Sequence, residues 1–488
     1  MASLEELRTE RMKKLEQLRS HGIDPYPGDS RIDTAVSDAV SRFEEFVEKK
    51  KVIMGGRVMT LRGQGAILFF NFNDGTGLFQ GMLKEDELGK ETFDLFSETV
   101  DIGDFVELEG SLFVTKRGEK TILVSAWRML AKSLRPLPDK WHGLQDVEER
   151  FRRRYLDTLM SPAVRERFII RSKIQAFLRL FLIREGYLEV ETPILQPLAG
   201  GATAEPFKTH HQALGAELYL RIAPELYLKE LLVGGFNKVF EMGRNFRNEG
   251  IDVTHNPEFT MLEFYEAYAD ARRQEAFVET LIRATVKEIT GGHEIVYDNQ
   301  TMSVKEPFER ISFFDLLKRD TGIKEPHSFS RDEYAEKAQV LGVEVKKTDA
   351  REKIMDNIYK KVSRPKLIRP TFIVDYPLSF SPFAKRQTEN PELLNRFQLV
   401  MGGLEVVNAF SELNDPIEQR ARYIDQDKKK KAGEGEVSPS DESYLEAMEY
   451  GMPPAGGVGL GVDRLVMLLT DTKNIREVIL FPTLKPKE

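Results

Sequence analysis

The chain has 488 residues, which is too many for one ordinary hydrophobic core, so we expect two domains with room for an insertion. Its hydrophobic content of 41% is typical of a globular protein, and no run of 18 apolar residues predicts a membrane span. Cysteine is absent, which excludes disulfides, thiolate zinc sites and a cysteine nucleophile. The net charge of −8 argues against a general DNA-coating protein but permits a local basic groove.

Residues 1–50 are predicted to form a helical N-terminal extension. We expect two helices over the first 48 residues, because apolar residues recur at helical spacing until Pro25 and Pro27 interrupt them. The leucines expected to share one helix face are Leu4, Leu7, Leu15 and Leu18. The charged start lacks the apolar stretch of a signal peptide, which favours a cytoplasmic protein.

Residues 51–134 change to a strand pattern. Three strands, a helix at Glu85–Ser97 and two more strands are the order of an OB-fold, a five-stranded barrel that often binds single-stranded nucleic acid. Gly75-Thr76-Gly77 suits a hairpin between the second and third strands. The strands are predicted at Val52–Met59, Ala66–Asn73, Leu78–Leu83, Phe105–Val114 and Thr121–Leu130.

Three aromatic residues lie on the second predicted strand. We expect Phe70 on one face and Phe69 and Phe72 on the opposite face, so that some are core and some are free to stack on a base. The alternative is that all three pack in the core or the hairpin.

Residues 135–161 are predicted to be a linker, which starts with the rigid sequence Arg135-Pro136-Leu137-Pro138. It contains the densest basic cluster of the chain, Arg150-Phe151-Arg152-Arg153-Arg154-Tyr155. Such a cluster either contacts nucleic-acid phosphates or is a solvated charged face.

Residues 162–488 alternate long helices and strands and are predicted to form a second domain, with a more helical insertion around residues 270–370. A strong amphipathic helix is expected at Ala163–Glu185, followed by a strand at Gly186–Pro193. Several later strands are apolar enough to be central in a mainly antiparallel sheet. Asp425–Asp441 resembles an exposed excursion because lysines and glycines cluster in it.

Two arginines of this domain are candidates for one ATP-using active site. Arg247 follows a predicted strand at Lys238–Arg244, and a polar loop at Gly250–Pro257 precedes the next strand, Glu258–Tyr268. Arginine offers a fixed fork of donors that suits phosphate or carboxylate. A surface ion pair between Arg247 and Glu249 is the alternative.

Arg464 follows a glycine-rich run, Gly456–Gly461, and begins a predicted helix together with Asp463. The run lacks the third glycine and the βαβ unit of a dinucleotide fingerprint, and no GxxxxGK[ST] sequence is present, which excludes an ordinary P-loop. The small residues either let a nucleotide approach the backbone near Arg464 or serve close strand-to-helix packing.

These two segments, with the segment ended by Pro193, resemble the three signature motifs of class II aminoacyl-tRNA synthetases. The resemblance covers nearly the whole chain, and the OB-fold points to the subgroup for Asp, Asn and Lys. The stretches that look like the lysine-specific members almost letter for letter are Ala223–Lys229, His255–Glu263 and Asn408–Asp415.

The resemblance implies an α+β multidomain protein, whose catalytic domain is a six-stranded antiparallel sheet flanked by helices. It also implies a homodimer built partly on Ala163–Pro193. The implied enzyme is a lysine–tRNA ligase, which joins L-lysine to ATP as lysyl-adenylate and then transfers the lysyl group to the terminal ribose of tRNA(Lys).

Residue roles follow from the resemblance. Arg247 would hold the substrate carboxylate and the α-phosphate, and Arg464 would hold the γ-phosphate. The remaining ATP contacts would come from Glu249, His255, Asn256, Phe259 and Glu405. The lysine pocket would consist of Gly201, Glu225, Glu263, Tyr265, Asn408, Phe410 and Glu412, with Glu225 at the α-amino end and Glu412 at the ε-ammonium.

The acidic pocket also follows from charge. An ammonium removed from water needs paired acceptors, because an isolated desolvated charge costs several kcal/mol. Glu412 would repel the side chain of an aspartate substrate. For each glutamate alone, an ion-paired surface residue is the alternative.

Two positions depart from the family pattern. Magnesium is expected with ATP, and Glu405 matches the principal metal-binding glutamate, but the second expected glutamate is Gln398. On the barrel, Phe69 and Gln80 match positions that read the anticodon, whereas the expected acidic partner is Ala126.

Two rival functions remain for the sequence. A related ligase that lysylates proteins would lack the barrel, so residues 51–130 argue against it. A catalytically inactive nucleic-acid-binding module is disfavoured by the presence of Arg247, Glu249, Glu405 and Arg464.

Overall fold

The computed structural model describes residues 3–49, 51–138, 144–202, 204–431 and 438–487. The chain divides into two compact units, residues 1–144 and 145–488, and this boundary lies inside the segment expected to be a linker. Among the described residues, no helix combines the length and apolarity needed to cross a membrane.

The first unit begins with helices. A capping box between Ser3 and Glu6 starts the first helix, and its second half buries Leu15 and Leu18 while Leu4 and Leu7 are exposed. The expected apolar face is therefore buried only in part, and the described N-terminal residues form three helices rather than two. The helices of this unit are α1 (Leu4–Ser20), α2 (Val36–Ser41), α3 (Phe43–Glu48), α4 (Glu85–Leu88) and α5 (Lys90–Thr99).

A closed barrel makes up the rest of the first unit, and its strands follow the expected OB-fold order. Around the barrel the order is β1-β2-β3-β5-β4, with only the β3–β5 pair parallel among these strands. The expected single helix between β3 and β4 is divided at Gly89, whose φ of 78° interrupts helical geometry. The strands are β1 (Val52–Gln64), β2 (Ile67–Asn73), β3 (Leu78–Lys84), β4 (Phe105–Val114) and β5 (Lys120–Ala131).

The prediction that Phe69 and Phe72 share one face of β2, with Phe70 on the other, is wrong. Phe70 and Phe72 are both buried in the barrel core, whereas Phe69 is half-buried on the opposite face. The physical reason is the two-residue period of a strand, which puts positions 70 and 72 on one face.

The second unit contains a sheet of eight strands in the described residues, ordered β14-β15-β16-β17-β18-β11-β10-β6. The six central strands, from β15 to β10, are antiparallel to their neighbours, and one parallel strand is added at each edge. The antiparallel sheet implied by the sequence is thereby confirmed. The strands of the unit are β6 (Leu188–Glu189), β7 (Leu195–Gln196), β8 (Lys208–His211), β9 (Ala216–Leu220), β10 (Lys238–Phe246), β11 (Glu258–Ala267), β12 (Glu294–Tyr297), β13 (Gln300–Ser303), β14 (Glu309–Ser312), β15 (Thr371–Val374), β16 (Arg396–Met401), β17 (Leu404–Ser411) and β18 (Ala455–Gly461).

Helices cover this sheet and bury its apolar core. The long helix begins at Pro162 behind the N-cap Ser161, close to expectation. The strand predicted after it, Gly186–Pro193, is shorter than expected, because only Leu188–Glu189 forms a strand (β6), which pairs with β10. The helices are α6 (Val147–Arg152), α7 (Arg154–Met160), α8 (Pro162–Arg184), α9 (Glu225–Val233), α10 (Ala271–Thr290), α11 (Phe313–Thr321), α12 (Arg331–Val340), α13 (Arg351–Ile358), α14 (Pro416–Lys431), α15 (Glu442–Glu449) and α16 (Val462–Leu469), with a π-helix at Tyr359–Ser363 and 3-10 turns at Arg364–Lys366, Leu378–Phe380 and Ile475–Glu477.

The four arginines of the basic cluster at residues 150–155 already have carboxylate partners. Arg154 is buried and lies 2.6 Å from Asp157, and Arg150 pairs with both Asp157 and Glu477. Arg152 and Arg153 pair with glutamates one turn earlier on their helix. These ion pairs favour a structural role over the phosphate contact that the sequence left open.

The segment expected to be an exposed excursion, 425–441, is partly regular. Helix α14 continues to Lys431 and buries Gln426, and after the gap Ser440 donates a hydrogen bond to Asp427. The expectation is therefore wrong for the helical part, and residues 432–437 lie outside the described residues.

Candidate active site

A cavity of about 510 Å³ lies against the central strands of the second unit. Strands β11, β16, β17 and β18 all contribute lining residues, which brings together residues that are far apart in the sequence. Arg247 and Arg464 both line it, as expected. The other predicted residues that line the cavity are Gly201, Glu225, Glu249, His255, Asn256, Phe259, Glu263, Tyr265, Gln398, Glu405, Asn408 and Phe410. Glu412 is buried directly behind Gly457, which lines the cavity.

Arg247 is held where β10 ends. Its backbone N–H donates to Pro257 O at 2.8 Å, which closes the loop between β10 and β11. Its guanidinium lies 5.0 Å from the centroid of the Phe259 ring, and Nε is buried without a hydrogen-bond partner among the described residues. The arginine is oriented by packing while a donor remains available for an anion.

Arg464 lies in the first turn of α16. Its Nη1 donates to Glu405 O at 2.9 Å, and Nη2 lies 3.2 Å from His255 Nε2. Asp252 lies 2.8 Å from His255 Nδ1, which favours the proton on Nδ1 and leaves Nε2 as an acceptor for the arginine. Burial lowers the pKa of Arg464 and Glu405 opposes that shift, so the guanidinium stays charged.

The glycine-rich run is itself strand β18. A Cβ at Gly457 would overlap Glu412 Oε1 and lie 2.5 Å from Tyr265 Cε1. A Cβ at Gly459 would lie 2.9 Å from Met261 Cε. Glycine is therefore required at position 457 to leave room for the side chains of the amino-acid pocket, a reason that neither interpretation of the run had included.

An internal lysine joins the acidic residues of that pocket. Lys229 is fully buried on α9, and its Nζ lies 2.5 Å from Glu225 Oε1 and 2.6 Å from Glu412 Oε2. The ammonium also lies 4.9 Å from the centroid of the Phe383 ring and 5.4 Å from that of Phe410. Glu412 Oε2 is engaged by this ammonium, whereas Oε1 accepts no hydrogen bond from the described residues and remains available.

The pocket has more acid than the lysine can neutralise. Burial raises the pKa of Glu263 to about 8, and the nearby charge of Glu225 acts in the same direction. Burial likewise raises the pKa of Glu412 to about 8. Burial alone would lower the pKa of Lys229, but Glu225 and Glu412 raise it well above its ordinary value. Glu225 and Glu412 thus share the ammonium of Lys229, whereas Glu263 accepts a hydrogen bond from Tyr265 and is influenced by the charges of Arg247 and Arg221.

On the barrel, the two residues expected to read the anticodon share its outer face. Gln80 pairs with Asn71 across the β2–β3 ladder, two residues along from Phe69, and accepts a hydrogen bond from Thr121 at 2.8 Å. Ala126, where an acidic residue was expected, lies directly opposite Glu109 on β4.

Comparison with known proteins matches residues 146–485 to class II tRNA synthetases for D, K and N, and residues 52–130 to an OB-fold nucleic-acid-binding anticodon domain. The chain belongs to the class II tRNA synthetases of this group. It is 48% identical to a lysine–tRNA ligase of Pelotomaculum thermopropionicum, over 99% of this chain and 96% of the relative. It is also 48% identical to that of Carboxydothermus hydrogenoformans, over 99% of each chain, and 45% identical to that of Syntrophomonas wolfei, over 99% and 98%.

The metal position that this synthetase family implies fits the residues only in part. Burial alone would raise the pKa of Glu405, but Arg464 and three further cations lower it, so this carboxylate is ionised. Gln398 Oε1 accepts hydrogen bonds from Tyr376 at 2.7 Å and Tyr359 at 3.2 Å, which uses both of its lone pairs. Within the described ranges, no three His, Cys, Asp or Glu residues are grouped to hold a metal ion. Glu405 suits a metal, whereas Gln398 does not.

Sequence reasoning missed several residues of this synthetase site. Lys229 follows Glu225 by four residues on a helix, and that i,i+4 spacing was a readable signal. Lys360 and Arg364 also line the cavity, but they come from a π-helix and the 3-10 turn that follows it, whose forms no sequence pattern indicated.

Proposed function

We propose that the chain is a lysine–tRNA ligase. It forms lysyl-adenylate from L-lysine and ATP, releases pyrophosphate and transfers the lysyl group to the 3′-terminal ribose of tRNA(Lys). The full-length similarity to lysine–tRNA ligases supports this proposal. The observation that carries it is the charge balance of the amino-acid pocket.

The pocket holds Glu225, Glu263 and Glu412 against the single ammonium of Lys229. When all three carboxylates are ionised, two negative charges remain after Lys229 is counted, and Arg247, whose charge also acts on Glu263, is reserved in this proposal for the carboxylate of the substrate. Free lysine carries two ammonium groups, at its α and ε positions, so its binding neutralises both charges inside a buried site. An aspartate side chain would instead meet uncompensated carboxylates, and asparagine would supply one ammonium too few.

The roles of the individual residues follow from this placement. Glu225 and Gly201 would receive the α-amino group, and Tyr265 and Glu412 the ε-ammonium. Glu263, Asn408 and Phe410 complete the pocket. Arg247 would orient the substrate carboxylate toward the α-phosphate.

The first reaction is an in-line displacement at the α-phosphorus. A lysine carboxylate oxygen bonds to this phosphorus, the bond to the bridging oxygen of the β-phosphate breaks, and pyrophosphate leaves with the electron pair. Arg247 would stabilise charge at the α-phosphate and Arg464 at the γ-phosphate. The remaining ATP contacts would come from Glu249, His255, Asn256, Phe259 and Glu405, and Glu405 would hold a magnesium ion that neutralises phosphate charge.

In the second reaction, a hydroxyl of the terminal ribose of tRNA bonds to the lysyl carbonyl carbon, and AMP leaves. We propose that the outer face of the barrel reads the anticodon. Phe69 is half-buried there, which leaves part of its ring for stacking, and Gln80 offers an amide for a base edge.

We further propose a cytoplasmic homodimer whose interface includes the region of α8. Large apolar side chains are exposed along and after this helix, which is uncommon unless a partner covers them. They are Ile169, Leu180, Ile183, Leu188, Ile194 and Leu195.

Transfer of radiolabelled lysine to unfractionated tRNA tests the proposed function. The expected product is an alkali-labile ester that is lost when the tRNA terminus is oxidised with periodate beforehand. Label that accumulates on protein instead would favour the protein-lysylating rival. Label on neither acceptor, with no activation of lysine, would favour an inactive nucleic-acid-binding module.

A further inference from the structure

One wall of the cavity contains two basic residues to which the family resemblance gave no role. Helix α13 ends in the π-helix Tyr359–Ser363, and a 3-10 turn begins at Arg364. Lys360 and Arg364 both line the cavity as a result. A π-turn costs hydrogen-bond geometry, and such turns are frequent at functional sites.

Arg364 has no ion-pair or side-chain hydrogen-bond partner among the described residues, and its Nε is buried without a partner. Lys360 has one carboxylate partner, Asp356, at 2.6 Å, and its side chain remains 45% exposed. A buried donor without a partner is costly, so an anion at this place would relieve that cost.

Gln398 lies on the same wall and is neutral. Its Oε1 is occupied by two tyrosine hydroxyls, and one of them, Tyr359, belongs to the π-helix that carries Lys360. Position 398, where the family pattern has a second metal-binding glutamate, is therefore occupied by an uncharged side chain that belongs to a local hydrogen-bond network. The ionised Glu405 lies close enough for Arg364, Lys360 and Arg464 to act on its charge.

We propose that Lys360 and Arg364 bind the β- and γ-phosphates of ATP directly and replace the metal ion that a carboxylate at position 398 would have held. This inference rests on the proposed use of ATP at this site. On the Gln398 side, Lys360 and Arg364 would neutralise the phosphate charge, and Glu405 would still bind one metal ion. Binding of ATP is consequently less dependent on magnesium than it would be in a site with two acidic metal ligands.

Calorimetric titration of the full chain with ATP, in EDTA and in magnesium, tests the proposal. Wild type should bind ATP in EDTA with an affinity within about tenfold of that in magnesium. Arg364→Gln should weaken binding in EDTA by about tenfold or more, since a hydrogen bond to a charged group contributes about 1.5–3 kcal/mol. Lys360→Gln should weaken it in the same direction.

Lys366→Gln is the matched control, because Lys366 is a half-exposed cation two residues further along that does not line the cavity. Its ATP affinity should equal that of wild type. The double variant Lys360→Glu with Gln398→Glu should bind ATP poorly in EDTA and recover in magnesium. Circular dichroism and thermal unfolding verify that each variant is folded, and Arg364→Lys should retain most of the binding.

The proposal is overturned if wild type does not bind ATP in EDTA, or if Arg364→Gln binds ATP as wild type does. Lysine-dependent pyrophosphate exchange by wild type separates this failure from failure of the proposed function. Exchange that proceeds while Arg364→Gln has normal ATP affinity contradicts the proposed phosphate site and leaves the ligase function intact. Strong ATP binding in EDTA without any exchange contradicts the ligase and leaves the phosphate site intact.

Discussion

Lys229 Nζ lies 2.6 Å from Glu412 Oε2, in a pocket where both side chains are fully buried. The enzyme thus places its own lysine beside the carboxylate that we assign to the substrate's ε-ammonium. This resident ammonium holds Glu225 and Glu412 together, and the remaining acid matches the two ammonium groups of a free lysine. Selection of the substrate is therefore a matter of total charge as well as of shape.

Glu412→Gln should impair use of lysine far more than use of ATP. The amide cannot balance the ε-ammonium, so the KM for lysine in pyrophosphate exchange should rise by about tenfold to a hundredfold. The KM for ATP should stay near the wild-type value. Glu230→Gln, on the same helix as Lys229 but outside the cavity, is the control. Equal losses for both substrates would mean that the pocket assignment is wrong.

Lys229→Met should reduce the free energy of unfolding, because it leaves Glu225 and Glu412 facing one another without a counter-ion. Loss of one partner of a buried ion pair costs about 3–5 kcal/mol, which urea denaturation can measure. Adding Glu412→Gln should restore part of this loss, since it removes one of the repelling charges. A Lys229→Met protein as stable as wild type would contradict the role of Lys229.

Binding of lysine at pH 7 should release protons to the solvent. In the free enzyme, burial raises the pKa of Glu263 to about 8, so this carboxyl is largely protonated at pH 7. The substrate ammoniums favour the ionised form, and the release should fade as the pH rises through about 8. Calorimetry in two buffers of different ionisation enthalpy detects this release. A binding enthalpy for lysine that is the same in both buffers would show that the carboxyl is not protonated in the free enzyme.

The raised pKa of Glu263 also sets a pH dependence of stability. Because its folded-state pKa lies above the ordinary value of 4.5, this carboxyl stabilises the fold below pH 4.5. That stabilisation is lost as the pH rises through about 8. Thermal unfolding of the ligand-free enzyme should therefore show a smaller decline between pH 6 and 9 for Glu263→Gln than for wild type. An identical decline in both proteins would contradict this assignment.

Gly457→Ala should abolish activation of lysine, because the added methyl would overlap Glu412 Oε1. The comparison variant is Gly63→Ala on strand β1 of the barrel, where a Cβ would meet no atom within 4 Å. Pyrophosphate exchange should stay near wild type in Gly63→Ala. Full activity of Gly457→Ala would show that the space at this glycine is not needed.

Leu180→Glu combined with Ile183→Glu should shift the protein toward monomers. Both side chains are about half exposed on α8, and charges there would be buried at the proposed interface. Light scattering over a range of concentrations measures the mass. Val340→Glu, at a more exposed position on α12, should leave the mass unchanged. A double variant with the mass of wild type would exclude this face as the interface.

Local sequence patterns predicted the order of the barrel strands and the antiparallel central sheet. Arg247 and Arg464 were also expected in one site, because their segments resemble two signature motifs of class II aminoacyl-tRNA synthetases. The orientation of the β2 aromatics was predicted wrongly, although the two-residue period of a strand decides it. Correctly applied, the two-residue period puts Phe70 and Phe72 on the same face, as the structure has them.

Other features depended on three-dimensional proximity. Nothing in the sequence marks Lys229 as a pocket residue until α9 packs against β10 and β11, which brings its ammonium to Glu412. Gly457 is required because of a side chain 45 residues away along the chain, and no glycine pattern encodes that neighbour. Arg364 reaches the cavity through a π-turn, which local propensity does not predict.

The most direct test of the account is ATP–pyrophosphate exchange with each of the standard amino acids supplied alone to the purified enzyme. The pocket's two unbalanced negative charges predict rapid exchange with lysine and at most trace exchange with aspartate or asparagine. Exchange with aspartate or asparagine equal to that with lysine, or no exchange with lysine at all, would contradict the account.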